Sequence, residues 1–214
     1  THGRDPHQLL VLPVAVGDLP AGTLVVANGG IATLPETGRA KQQLGAMDAS
    51  LVALHPQTGA LLGQWRLTDP YLSIRHLAWD SASRKLGIAL QAEHTDTAAR
   101  AAAPVLAVWD GRALQPATGQ PAVAGYGGDI VAVPGGGFAV SCPRANAVAV
   151  YDAAGAWREN LALNGAYALA RQGGDWWVAG EPQVRHWPDG ARLDAASGAP
   201  ALQWDNHWIA ARST

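Results

Sequence analysis

Cysteine, phenylalanine and methionine are almost missing: the chain holds one of each, Cys142, Phe138 and Met47. A lone cysteine excludes an intrachain disulfide and leaves the redox compartment open. Charge is scarce as well. Only 15% of the 214 residues are Asp, Glu, Lys or Arg, and the net charge is -2. That balance excludes a global field able to gather nucleic acid or an anionic membrane. No apolar run approaches the roughly 18 residues of a membrane-spanning helix. Helical periodicity is nearly absent: the Ala-rich stretch Asp96–Ala103 is short and carries no apolar stripe. There is no GxSxG elbow, Walker A sequence, HExxH or paired-cysteine zinc motif. Pro134-Gly-Gly-Gly137 reads as a hairpin turn between strands, not a phosphate loop. No nucleophile and base can therefore be paired from sequence. There is no signal peptide, yet the chain opens on Thr1 rather than Met, so an upstream segment is expected to have been removed.

What the chain has in plenty is turn residues and short apolar runs, with 25 glycines and 14 prolines. A strand-rich unit recurs. Its second strand reads Thr23–Asn28, Lys85–Leu90, Gly137–Cys142 and Trp176–Gly180. Its third reads Leu51–His55, Val105–Asp110, Ala147–Asp152 and Gln183–Trp187, each followed by a turn with Gly59, Gly111, Gly155 or Gly190. An all-β repeat at a spacing near ~40 residues marks a β-propeller. The expected fold is an all-β partial propeller of about four four-stranded antiparallel blades plus a closing strand. The blades span residues 7–67, 74–114, 129–163 and 167–193, and the closing strand 201–210. Nine tryptophans are expected mainly to fill the wedges between blades, Trp65, Trp79, Trp109 and Trp187 among them. An aromatic cage at Trp176-Trp177, or around Trp204 and Trp208, is the alternative; strand alternation argues against the first pair facing one ligand.

In an up-and-down blade, the loop from strand two to strand three shares an end with the link to the next blade. That end collects the long polar segments, such as Asn28–Ser50, Gln91–Ala103 and Pro143–Asn146. The other end has short turns: Pro56–Gly59, Ser81–Arg84, Pro134–Gly136 and Gln172–Gly174. Function is expected at the loop-rich channel mouth. In the first long loop Gly29-Gly30 follows Asn28, and Arg39 and Lys41 suit a carboxylate or phosphate. Arg75 and His76 lie at the entry to an inner strand, where alternation puts one toward the channel and one toward a sheet face. His7 occupies the equivalent place in the first unit, and Asn206-His207 a similar one near the C-terminus. Three histidines on one axis, His7, His76 and His207, can bind a transition metal; the alternative is that each locks neighbouring loops. Arg144 either joins Arg39 and Arg75 in an anion site or pairs with Asp129 or Asp205.

At these residues the chain resembles a bacterial family known as a domain of unknown function, whose members look like seven-bladed propellers of the WD-repeat-like superfamily. The matching stretches are Pro6-His-Gln-Leu9, Thr23–Ile31 with Gly38-Arg-Ala-Lys41, and Ser73-Ile-Arg-His-Leu77. Weaker ones are Tyr126-Gly-Gly128, Ser141-Cys-Pro-Arg144 and Trp204-Asp-Asn-His207. The resemblance implies twin-arginine export, a periplasmic location and a genomic setting beside imelysin-like iron-uptake proteins. It supplies no catalytic residues. Family members carry a signal and further blades before the Pro-His motif, so the chain looks like the C-terminal part of a longer propeller, with its N-terminal blades as one partner.

Three functions follow as expectations. The first is a non-enzymatic periplasmic binding or scaffold protein for a small anionic ligand or metal complex, linked to iron acquisition. The second is an enzyme with a channel-mouth His as general base and Arg as stabiliser, which requires a concave pocket and a His within reach of another polar side chain. The third is a protein–protein interaction platform, which a flat, aromatic loop end without a pocket would favour.

Overall fold

The four-blade expectation holds. A computed structural model describes residues 1–32, 36, 41, 43–181, 184–187, 192–193, 205, 207 and 208. The first sheet is β1 (Pro6–Val11), β2 (Leu24–Asn28), β3 (Ser50–Leu54) and β4 (Leu61–Trp65). The second is β5 (Leu72–Asp80), β6 (Lys85–Ala92), β7 (Leu106–Trp109) and β8 (Leu114–Pro116). The third is β9 (Ile130–Ala132), β10 (Phe138–Cys142), β11 (Ala147–Tyr151) and β12 (Trp157–Ala162). The fourth is β13 (Leu169–Gln172), β14 (Asp175–Ala179), β15 (Val184–Trp187) and β16 (Arg192–Leu193). Each sheet is a meander with its strands in chain order, and among the described residues no ladder joins the fourth sheet to the first. The result is an open arc of blades. Of the expected closing strand only Asp205, His207 and Trp208 are described, and none of them is in a strand.

Strand alternation explains why the middle strands are apolar on both faces. Val25 and Ala27 of β2 pack with Leu51, Ile74 and Ile88 in the wedge between the first two blades. Leu106 and Val108 of β7 join Phe138, Val140 and Tyr151 in the next wedge. Val131, Ala139 and Val148 meet Leu169, Trp176 and Val178 in the third. The tryptophan expectation is met at the first wedge: the Trp65 and Trp109 rings meet edge to face with centroids 5.0 Å apart. Trp176 is buried in the third wedge while Trp177 stacks on His186 at 5.0 Å, so the pair does face opposite ways. The outward face of the first blade is different, for Leu9 and Val11 are 53% exposed and Leu61 45%.

Polar ties cross every wedge. The Gln8 side chain accepts from Leu77 N at 2.8 Å and donates to Leu77 O at 3.3 Å, joining β1 to β5. Asp80, 1% exposed, accepts from Gly137 N at 3.0 Å while also holding Ala82 N and the Ser83 hydroxyl. Asp129 accepts from Leu169 N at 3.0 Å. Replacing Asp80→Ala orphans two backbone donors, one of them buried, and is expected to cost about 2 kcal/mol. Urea unfolding monitored by tryptophan fluorescence checks this; an unchanged midpoint would show the tie to be dispensable.

Among the described residues, two single 3-10 turns, Leu44–Ala46 and Pro143–Ala145, and one α-helical segment depart from the all-β expectation. Residues Thr97–Ala102 form a single short helix, α1, between β6 and β7. The Asp96 carboxylate caps it, accepting from Ala99 N at 2.6 Å. Alanine content and one cap suffice for a turn and a half without an apolar stripe. No described helix is long and apolar enough to cross a membrane.

Candidate functional site

Two inner strands carry the same irregularity at the loop-rich end. In β5 the register runs Ile74 to Leu90 and then Leu77 to Ile88, so Arg75 and His76 together oppose one residue. In β1 Pro6 faces Asn28 and Gln8 faces Ala27, leaving His7 as the extra residue. These are β-bulges, which re-aim side chains next to sites. The bulge overturns one expectation. Regular alternation puts Arg75 and His76 on opposite faces, whereas both line the same cavity of about 670 Å3.

The chemistry of the cavity starts from Arg75, whose side chain is 6% exposed. Its Nη1 donates to Asp5 Oδ2 at 3.1 Å and to His7 Nε2, and its Nη2 lies 3.9 Å from Glu93 Oε1. Lys41 reaches the same Glu93 carboxylate. Burial lowers the Arg75 pKa, and the Asp5 and Glu93 charges oppose that shift. The glycine pair after Asn28 makes this packing possible. A Cβ on Gly29 would stand 2.5 Å from Asp5 Oδ2 and 3.2 Å from Arg75 Nη1, while Gly30 adopts φ +77 with Ala49 N 2.2 Å from its Cβ direction. Ser73 Oγ donates to Gly29 O at 2.7 Å and fixes the loop to β5.

Three histidine rings follow one another across the cavity. His7 and His76 meet edge to face with centroids 5.7 Å apart, and His76 and His207 lie 4.3 Å apart. Burial, then the Arg75 charge, pushes the His7 pKa down to about 4. Burial, then His207 and His7, pushes His76 down to about 3. Both are neutral imidazoles with a free lone pair at neutral pH, except that His7 Nε2 already faces Arg75. His207 is the opposite case: its hydrogen bond to Asp129 raises its pKa, with Nδ1 3.5 Å from Oδ2. On the far wall the Arg144 guanidinium stacks over the Tyr126 ring at 4.1 Å from the centroid. Tyr167 lines the same cavity, and its pKa is raised first by burial and then by Tyr126.

The structure thus brings together His7, Lys41, Arg75, His76, Arg144 and His207 on one cavity. Gly29 and Gly30 lie behind it as packing positions. The Asn28 side chain is buried and donates to Thr1 O at 3.2 Å, away from the cavity. Arg39 and Asn206 lie outside the described residues. Arg144 lies on an aromatic ring, and Asp129, one of its two suggested partners, engages His207 instead. Sequence reasoning gave no site role to Asp5, Glu93, Tyr126 or Tyr167. The signals for Asp5 and Tyr126 were present, two residues before His7 and at the head of Tyr126-Gly-Gly128.

The sequence pattern of a known family, "Protein of unknown function (DUF1513)", matches residues 1–211. The chain belongs to the DUF1513 family. No curated protein sequence matches this DUF1513 chain. Its fold is similar to that of solved β-propellers. U3-55K is 15% identical at a TM-score of 0.58, covering 90% of this chain and 52% of that one. A streptogramin B lyase is 11% identical at a TM-score of 0.59, covering 95% and 58%. Virginiamycin B lyase from Staphylococcus aureus is 14% identical at 0.55, covering 89% and 60%. The DUF1513 chain therefore spans little more than half the length of these structures, and at such identities the likeness concerns the fold alone.

Proposed function

We propose that this DUF1513 chain is a ligand-binding propeller whose cavity takes a small anion-bearing molecule. One observation carries the reading: Lys41, Arg75 and Arg144 reach one cavity from three separate parts of the fold. Arg144 is the member presented to ligand, since its guanidinium lies on an aromatic face and keeps its in-plane donors for a carboxylate or phosphate. A formed cavity, in place of a flat loop end, weighs against a pure interaction platform. Isothermal titration with citrate and with inorganic phosphate tests the reading. Saturable binding to at least one is expected, weakened roughly tenfold or more by Arg144→Ala. No heat from either anion at millimolar concentration would remove its basis.

Periplasmic residence after twin-arginine export, and a part in iron acquisition, belong to the same proposal and rest on the family resemblance of the motif stretches. Fractionation of the tagged full-length protein addresses the location. The exposed apolar face of the first blade supports a further element: additional blades of the same protein cover Leu9, Val11 and Leu61.

An enzymatic reading is favoured by one feature, the Asp129–His207 pair, which orients an imidazole at the cavity edge as a general base requires. A histidine-to-alanine variant of the S. aureus virginiamycin B lyase, a protein of similar fold, is catalytically inactive. Turnover of a cavity-bound anion that disappears in His207→Ala would establish this second reading.

A further inference from the structure

We propose that His76, Asp129 and His207 form a site for one first-row transition-metal dication, with zinc as the reference case. The proposal rests on the reading of the cavity as a ligand site and deepens it. The donor atoms of these three residues all lie within 4.8 Å of one another. They come from the β5 bulge, from the residue before β9 and from the C-terminal segment, so the arc itself assembles them. Donors around a tetrahedral zinc stand about 3.3 Å apart, given bonds of about 2.0 to 2.1 Å. Closing from the observed spacing takes an approach of at most about 1.5 Å between donors. His207 is the group free to make it, with 49% of its side chain exposed.

The carboxylate is already aimed. Asp129 Oδ1 accepts from Ile130 N at 2.9 Å, and its Oδ2 accepts from Leu169 N at 3.0 Å. Such outer hydrogen bonds are what orient a ligating group. The sequence had pointed to His7 as the third donor. Its Nε2 faces the Arg75 guanidinium instead, so an acidic residue replaces it in the set. Two imidazoles and a carboxylate, with no thiolate, suit zinc, copper(II) or ferrous iron rather than soft monovalent ions. Three protein ligands leave a coordination position open. The anion of the proposed ligand would fill it while pairing with Arg144 across the cavity.

The test uses the full chain, stripped with a chelator and titrated with cobalt(II), whose visible absorption reports on a tetrahedral nitrogen–oxygen site. One cobalt per chain is expected, displaced by zinc. His207→Ala and His76→Ala should each weaken binding roughly tenfold or more. His207 is exposed, so its variant carries little risk to folding, and circular dichroism checks both. His55→Ala, in the turn at the opposite end of the first blade, should bind as the parent does. Absence of the cobalt band, or unchanged affinity in both cavity variants, overturns the metal site. If citrate or phosphate still binds in that event, the anion reading stands alone; if neither metal nor anion binds, both fall together.

Discussion

Replacing Arg75→Met should destabilise the chain by about 3–5 kcal/mol, the typical loss when a buried ion pair is broken by removing one partner. The side chain is 6% exposed and serves Asp5, His7 and Glu93 at once. Methionine fills much of the volume but leaves Asp5 facing Gly29 and Ser73 without its cation. Glu93, 7% exposed, keeps only Lys41 as an ion-pair partner among the described residues. The loss arises chiefly from orphaned carboxylates rather than from vanished attraction. The double variant Arg75→Met with Glu93→Gln should therefore recover part of the stability. Urea midpoints of the parent, the single and the double variant decide it. A single variant within about 1 kcal/mol of the parent would mean that the network is solvated and that Arg75 does not organise the cavity floor.

Cys142 should react with a disulfide reagent at pH 8 at least about a thousandfold more slowly in the folded chain than in urea. Its thiol is buried in the second wedge beside Val140 and Tyr151, and burial pushes its pKa up to about 12. Thiolate is the reacting species, so a rise from the ordinary value near ~8.5 cuts the reactive fraction by about three orders of magnitude. Steric exclusion adds to this. Labelling then reports opening of the wedge between the second and third blades, and Arg75→Met should speed it in step with lost stability. Rapid, complete modification of the native parent would mean that this wedge is not closed around β10.

The first three blades were legible because their second and third strands are buried almost throughout and read as continuous apolar runs, Val25-Val-Ala27 and Ala147–Val150 among them. The loop-rich end was legible because loop length follows from where such strands stop. The bulges were not. Register is a relation between two strands, and the only trace in β5 is a polar pair, Arg75-His76, inside an apolar run. Asp129 entered the sequence reading only as one of two alternative partners for Arg144. Its place beside His207 depends on how segments far apart in the chain pack together, which no local pattern carries.

The bulge in β5 has an evolutionary corollary. Leu72 and Ile74 before it and Leu77 after it all point into the same wedge. Strict two-residue alternation would give that arrangement with one residue fewer between Ile74 and Leu77. The strand thus carries a single-residue insertion that packing does not need, and β1 carries its counterpart at His7. Deleting His76 should leave every neighbouring core side chain on its present wall while removing the imidazole. Ligand chemistry at the rim can therefore be gained, lost or exchanged across relatives by one-codon insertions and deletions, independently of the wedges that hold the blades together.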